Sequence, residues 1–367
     1  MTSRSLLRPA RAIAALAATA TLALGVVACS DDDSDSASTS GAAASDASGS
    51  SGSSDSSDDK GTWPREVDSV VVTDGKAGKE TEKVEISAKP EKIVSTSVTL
   101  TGSLLAVDAP VVASGGAKAG ATSDDKGFFT QWADKADQKG VKALWQLEPD
   151  LQKVAAEDPD LIIVSAKGAD AATAQIAELK KIGAPVVVLD YSDKTWSDIT
   201  TELGEATGHE KDAEKAITSY KDRVAEVKDK IEKPEQPVNV VLPAQDGSGV
   251  NYMTAESAQG RIVEDLGWDL NVPGDGVART DGSYAGRTDV RQVTNENADK
   301  GLVGRTVLGV NADGKEPVID KLKANPLLAS TYAVENNRVF DLDPSAFRVD
   351  YFSALEILDK IEEYFSK

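Results

Sequence analysis

Between His209 and Lys233 the apolar residues Ala213, Ala216, Ile217, Tyr220, Val224, Val227 and Ile231 recur every three or four positions. The opposite face carries Lys211, Asp212, Glu214, Lys215, Lys221, Asp222 and Lys228, and Pro234 and Pro237 close the stretch. This is the period and the stop signal of one long α-helix. At about 1.5 Å per residue it runs roughly 35 Å, the width of a small domain, so it spans one lobe and joins it to another. The chain on either side is long enough to form such a lobe with its own core.

Before this helix, short β-branched runs alternate with segments of helical period. The runs are Lys92-Ile93-Val94-Ser95, Pro110-Val111-Val112-Ala113, Asp160-Leu161-Ile162-Ile163-Val164 and Pro185-Val186-Val187-Val188-Leu189, with a helix from Ala171 to Ile182 between the last two. Runs that are apolar on both faces belong in a largely parallel sheet covered on both sides. Ahead of them, Glu66 to Val72 and Thr81 to Ile86 flank a glycine-bearing turn and read as a hairpin. After Pro237 the alternation restarts with Val238 to Leu242 and Val250 to Thr254, then a helix from Ser257 to Leu266. Arg305 to Val310, a helix around Val318 to Lys323, and Arg338 to Leu342 follow. A final amphipathic helix, Tyr351 to Phe365, buries Phe352, Leu355, Leu358, Ile361 and Tyr364. The fold class is therefore α/β, with two similar Rossmann-like lobes joined by a single long α-helix and a ligand cleft between them. The predicted spans are 61–208 for the first lobe, 209–234 for the connecting helix and 235–367 for the second lobe.

The amino-terminal end is of a different kind. Arg4, Arg8 and Arg11 precede an unbroken apolar and small stretch from Ile13 to Ala28, the layout of a secretory signal peptide (1–28). The run is too short for a membrane span. It ends in Val26-Val27-Ala28-Cys29, which has the form of a bacterial lipobox, and Cys29 is the only cysteine of the chain. Lipidation of Cys29 is the expectation, and each buried methylene of the acyl chains then contributes about 0.8 kcal/mol to anchoring. The segment 29–60 continues in Ser, Asp, Gly, Ala and Thr with nothing large to bury, so it reads as a disordered tether. Setting aside three Arg before Cys29 and eight Asp in the tether takes the formal charge from -21 to -16 for the body from Lys60 onward.

Several chemistries are excluded. One Cys allows neither a disulfide framework nor a thiolate metal cluster. The lone His209 opens the long helix, where a surface or capping role outweighs catalysis. No GxGxxG follows a predicted strand and no GxxxxGK[ST] occurs, so neither nucleotide fingerprint is present. The acidic balance, without runs of Lys and Arg, argues against nucleic acid. Two Ser-Asp-Asp-Lys strings, at Ser57 and Ser123, match SxxK in letters alone. A bilobed α/β chain with no assembled reactive constellation reads as a binder and not an enzyme, with no cofactor and no protein-bound metal.

The block Pro90-Glu91-Lys92-Ile93-Val94-Ser95-Thr96-Ser97-Val98-Thr99-Leu100-Thr101-Gly102-Ser103-Leu104-Leu105-Ala106 resembles the start of the helical-backbone (class III) solute-binding proteins of siderophore, haem and cobalamin ABC importers. Within them the chain is most similar to the ferric-enterobactin-binding lipoproteins. Glu202 to Lys211, Glu256 to Gly260, Asn325 to Ala329 and Phe347 to Ala354 carry the same resemblance, which runs from about Trp63 to the end. It implies a monomer that captures a ferric catecholate siderophore outside the membrane and hands it to permease subunits, with iron held by the siderophore. A tris-catecholate iron(III) complex is a trianion with flat faces, which suits Arg guanidinium groups and aromatic rings. By residue match the cations are Arg348 and Arg287, with Arg279 third; Phe347 is the ring candidate, and Tyr252 or Met253 stands where the subgroup can place Trp. The loop from Gly116 to Lys126, where relatives can present Arg, holds only Lys118 and Lys126. The resemblance also implies permease docking through a glutamate on each lobe: Glu264 in the second, and in the first Glu148, because Gln152 occupies the matching position. The alternatives are a hydroxamate siderophore, haem or cobalamin in the same fold, or a surface lipoprotein outside transport.

Overall fold

In the computed structural model of the chain, residues 61–146, 149–192 and 194–367 are described. The expected signal peptide, Cys29 and the tether lie outside the described residues, as does Glu148. The hairpin is present: β1 (Arg65–Thr73) pairs antiparallel with β2 (Lys76–Ile86). Asp74 and Gly75 between them take φ of 50° and 72°, the left-handed geometry of a tight hairpin turn.

The first lobe runs β3 (Ile93–Ser95), α1 (Val98–Ala106), β4 (Val111–Gly116), α2 (Thr130–Lys139), β5 (Lys142–Gln146), α3 (Leu151–Ala156), β6 (Leu161–Ser165), α4 (Ile176–Leu179), β7 (Val186–Leu189) and α5 (Trp196–Thr207). Its five strands are parallel, in the order β5-β4-β3-β6-β7. Strands β3, β6 and β7 are buried throughout, as runs apolar on both faces require. The helix expected from Ala171 to Ile182 is broken into a 3-10 turn, the single turn α4 and another 3-10 turn. Thr173 donates its hydroxyl to the Gly75 carbonyl of the hairpin at 2.8 Å, and Ala172, Ile176 and Leu179 anchor the segment in the core.

The connecting helix α6 spans Glu210–Lys230 and buries Ala213, Ala216, Tyr220, Val224 and Val227. It stops three residues short of the predicted Lys233. Ile231 turns extended (φ -101°, ψ 154°) and bridges Ser366, and Glu232 donates its backbone N–H to the Phe365 carbonyl at 2.7 Å. Pairing with the chain's last residues therefore wins over another helical turn.

The second lobe comprises β8 (Val238–Pro243), β9 (Gly249–Met253), α7 (Ala258–Asp265), β10 (Val290–Thr294), α8 (Ala298–Gly301), β11 (Thr306–Val310), α9 (Val318–Lys323), α10 (Pro326–Ala329), α11 (Tyr332–Glu335), β12 (Val339–Leu342) and α12 (Tyr351–Phe365). Its strand order is β10-β9-β8-β11-β12. Here the expectation of two similar sheets needs correction: β8, β11 and β12 are parallel, but β9 and β10 run antiparallel. The link between β8 and β9 is too short for a parallel crossover, which takes about a dozen residues. One face of this sheet packs under α6, α7 and α12, the other under α8 to α11. Helix α12 also packs on α1 and α2 of the first lobe, so it braces the two lobes beside the connecting helix. Its buried stripe is Ala354, Ile357, Leu358 and Ile361, with Phe352, Leu355 and Tyr364 half-buried.

Candidate functional site

In an open α/β sheet the ligand crevice lies beyond the carboxyl ends of the strands where their order reverses. In the first lobe that point falls between β3 and β6, whose ends lead into Thr96–Thr99 and Ala166–Asp170. There Asp170 draws the start of α1 into place: its Oδ2 accepts from Ser97 Oγ at 2.6 Å and from the Thr99 N–H at 3.0 Å. Asp170 Oδ1 is enclosed and has no donor. In the second lobe the reversal falls between β8 and β11, where Leu242, Pro243, Ala312 and Asp313 line a cavity of about 130 Å³.

Arg348, at the end of a 3-10 turn (Pro344–Phe347) before α12, crosses from the second lobe to the first. Its Nη1 donates to Thr99 Oγ1 at 3.3 Å, and its guanidinium stands 5.6 Å above the Phe129 ring and 5.7 Å from the Phe347 ring. Phe347 is 39% exposed, whereas Phe129 is buried beneath the cation. Among the described residues no carboxylate pairs with Arg348, so its charge is uncompensated in the gap between the lobes. Tyr191, at the carboxyl end of β7, completes this group. Burial and then the Asp170 carboxylate raise its hydroxyl above the usual tyrosine range, while Arg348 and Thr99 pull the other way. Neither Tyr191 nor Phe129 was singled out from sequence; the position of Tyr191 two residues past the end of a strand was the available clue.

The other predicted contacts do not join this group. Arg287 is held by Asp289, with Nε and Nη2 donating to its two oxygens at 2.9 and 2.5 Å. Arg279 is held by Asp281 and Gln292, each at 3.0 Å. Both belong to the loop before β10, where Arg279 lies 5.7 Å from the ring of Tyr284. Tyr252 must be withdrawn as a contact: it is fully buried on the face of β9 covered by α8, with its hydroxyl donated to the Ala298 carbonyl at 3.1 Å. Met253 is withdrawn too, being enclosed in the core under α7. The half-exposed ring near β9 is instead Tyr284, which donates to Asn251 Oδ1 at 2.9 Å. Glu264 is exposed on α7. Among the described residues no three His, Cys, Asp or Glu side chains gather as a metal site, and no helix is long and apolar enough to cross a membrane.

Behind Arg348 lies Asp350, buried between the lobes. Its Oδ1 caps α12 through the Ser353 N–H at 3.0 Å, and its Oδ2 accepts from Gln131 Nε2 of α2 at 3.2 Å. Burial pushes this carboxyl up to about 6, against the hydrogen bonds from Ser353 and Gln131 that favour its charge. Gly102 of α1 makes room for it: a Cβ there would lie 2.8 Å from Trp132 Nε1 and would collide with Asp350 Oδ2. Trp132 is sealed in the core and has no freedom to yield. Gly102→Ala is therefore expected to destabilise the protein by about 1–3 kcal/mol, as overpacking does. A urea midpoint equal to that of the wild type would show that the lobes part here without cost.

Residues 93–346 match the family described as periplasmic binding protein. The chain is 40% identical over 304 residues, 83% of its own length and 91% of the relative's, to the ferric enterobactin-binding periplasmic protein FepB of Escherichia coli O6:H1 (strain CFT073). It is 27% identical over 199 residues, 53% of this chain and 57% of the other, to the Fe(3+)-citrate-binding protein YfmC of Bacillus subtilis (strain 168). Among solved structures, that of holo-ViuP superposes with a TM-score of 0.70 at 32% identity, covering 84% of this chain and 97% of that one.

Proposed function

This chain belongs to the periplasmic binding protein family, and on that premise we propose that it is the extracytoplasmic siderophore-binding component of an ABC importer, taking a ferric catecholate as cargo. It is a binding protein and not an enzyme. Cys29 carries the lipid that holds it at the membrane, the cargo brings its own iron, and the body works as a monomer.

The observation that carries this reading is Arg348: a cation without a carboxylate partner, set over aromatic rings in the gap between the lobes. A guanidinium can hydrogen-bond catecholate oxygens in its plane and stack on a catechol ring through its face. The exposed ring of Phe347 offers a second flat surface beside it. The acidic body repels a trianion at a distance, but screening within about 8 Å at physiological salt leaves the local charges in control. Exposed Lys118 on the first lobe adds positive charge in the loop where relatives can present Arg. Arg287 and Arg279 take part by exchanging Asp289 and Asp281 for cargo oxygens, which makes them weaker contributors. The relative named for ferric enterobactin points to the same cargo class. Docking to the permease falls to Glu264 on α7, with Glu148 as its counterpart on the first lobe.

The test is titration of the purified protein with ferric catecholates, ferric hydroxamates and ferric citrate, followed by tryptophan quenching. Saturation at one equivalent of catecholate, at concentrations where the other two are silent, is the expected result. A preference for hydroxamate or citrate removes the catecholate assignment, and silence toward every chelate removes the transport reading.

A further inference from the structure

A second space lies along the connecting helix: a groove of about 500 Å³, within the range of roughly 300–1,000 Å³ typical of small-molecule sites. Its floor is α6, one wall is α7, and the first turn of α5 closes an end, so both lobes and the helix between them build it. None of the residues assigned to the cargo gap lines it.

Two properties define what fits. The first is an aromatic and aliphatic interior. Trp196 and Tyr220 meet edge to face with centroids 5.1 Å apart, and Ile217 and Val224 continue the surface along α6. The Tyr220 hydroxyl is already committed, donating to Asp265 Oδ2 at 2.7 Å, so its ring and not its polar end is what the groove offers. A flat ring system suits such walls better than a flexible chain, since aromatic contacts add specific attraction to area burial.

The second property is charge. Lys221, Lys228 and Arg261 line the groove, a concentration of cations on a body whose formal charge is -16. Lys221 has no partner among the described residues, and Lys228 donates only to the backbone carbonyl of Asp265, at 3.2 Å. Arg261 pairs with Glu256 through Nη2 at 2.9 Å, yet its Nε–H is enclosed and finds no acceptor. The carboxylates in the lining are Glu264 and Asp265, the latter occupied by Tyr220, and Asp198 on the first turn of α5 also acts on Arg261.

We propose that this groove is a second ligand site, separate from the cargo gap, for a flat aromatic monoanion such as an aryl carboxylate or aryl sulfonate. The ring lies against Trp196 and Val224, and the charge faces Lys221 and Arg261. The site stands whether or not the chain carries a siderophore.

The test uses 1-anilinonaphthalene-8-sulfonate as probe on the purified protein. One equivalent binds saturably with blue-shifted emission, and 1-naphthoate displaces it where decanoate at the same concentration does not. Lys221→Glu weakens the probe at least fivefold. Ala225→Trp, which fills the groove from an exposed position on α6, abolishes binding. Both variants keep the wild-type circular dichroism, and Arg348→Ala keeps full probe affinity. Absence of saturable binding, affinity unchanged in either groove variant, or equal displacement by decanoate overturns the proposal.

Discussion

Replacing Arg348 with alanine weakens ferric-catecholate binding at least tenfold and leaves circular dichroism and melting temperature at wild-type values. The fold has little to lose there: the side chain meets only neutral hydroxyls, that of Thr99 at 3.3 Å and that of Tyr191, and forms no ion pair among the described residues. The cargo has much to lose. A charge-assisted hydrogen bond is worth about 1.5–3 kcal/mol, which corresponds to roughly 10–150-fold in affinity. Arg348→Lys keeps the charge but loses the planar fork and the stacking, so it falls between the two. Arg287→Ala costs less than Arg348→Ala, because Asp289 already holds that guanidinium. Wild-type affinity in Arg348→Ala would remove the residue from the site.

Asp350→Asn makes the protein more stable at pH 7.5 and flattens its stability between about pH 4 and 6. The folded protein holds the Asp350 proton up to about pH 6, whereas the unfolded chain releases it near 3.8. Below about pH 4 the carboxyl is protonated in both states and burial carries no charge penalty. As pH rises toward 6 the unfolded chain ionises first, so folded stability falls, by up to about 3 kcal/mol at roughly 1.4 kcal/mol per pH unit. An amide removes that slope. It still caps α12, since Asn is a good N-cap, and Gln131 Oε1, which has no donor in the wild type, is available to accept from it once the glutamine amide turns over. Neighbouring Glu356, also raised by burial, titrates in both proteins, so the difference between them isolates Asp350. Urea midpoints compared at pH 4 and 7.5 decide it: a gap of the same size at both values would show that the carboxyl ionises as readily inside the protein as in the unfolded chain.

What the sequence revealed of the fold follows from which faces are buried. Strands β3, β6, β7 and β11 are apolar on both sides because helices cover both sides, so they stand out as runs. Strand β10, Val-Arg-Gln-Val-Thr, lies at a sheet edge with two polar residues between valines that face opposite sides, so it shows neither an apolar run nor an alternation, and only its pairing with β9 places it. The two-residue period of a strand explains the misplacement of Tyr252. Asn251 and Tyr252 point to opposite faces of β9, and which face meets open space depends on the single turn α8, too short to carry a helical pattern. The block around Arg348 drew attention because it resembles a family; no spacing in the sequence marks the place its guanidinium takes between the lobes. Tyr191, Phe129 and the Asp170 cap come from three separate loops, and only the folded sheet brings those loops to one place.

Ser366 and Lys367 lie against Ile231 and Lys230, so the tail of the chain is knotted to the far end of the central rod, while Asp350 fastens the other end of α12 to the opposite lobe. A molecule laced in this way has no severable halves. Sectioned near residue 234, either part would lose apolar surface it shares with the other, and heat should dismantle the whole in one cooperative step. Braced by two struts instead of hung on a pin, such a body twists when it yields and does not swing open.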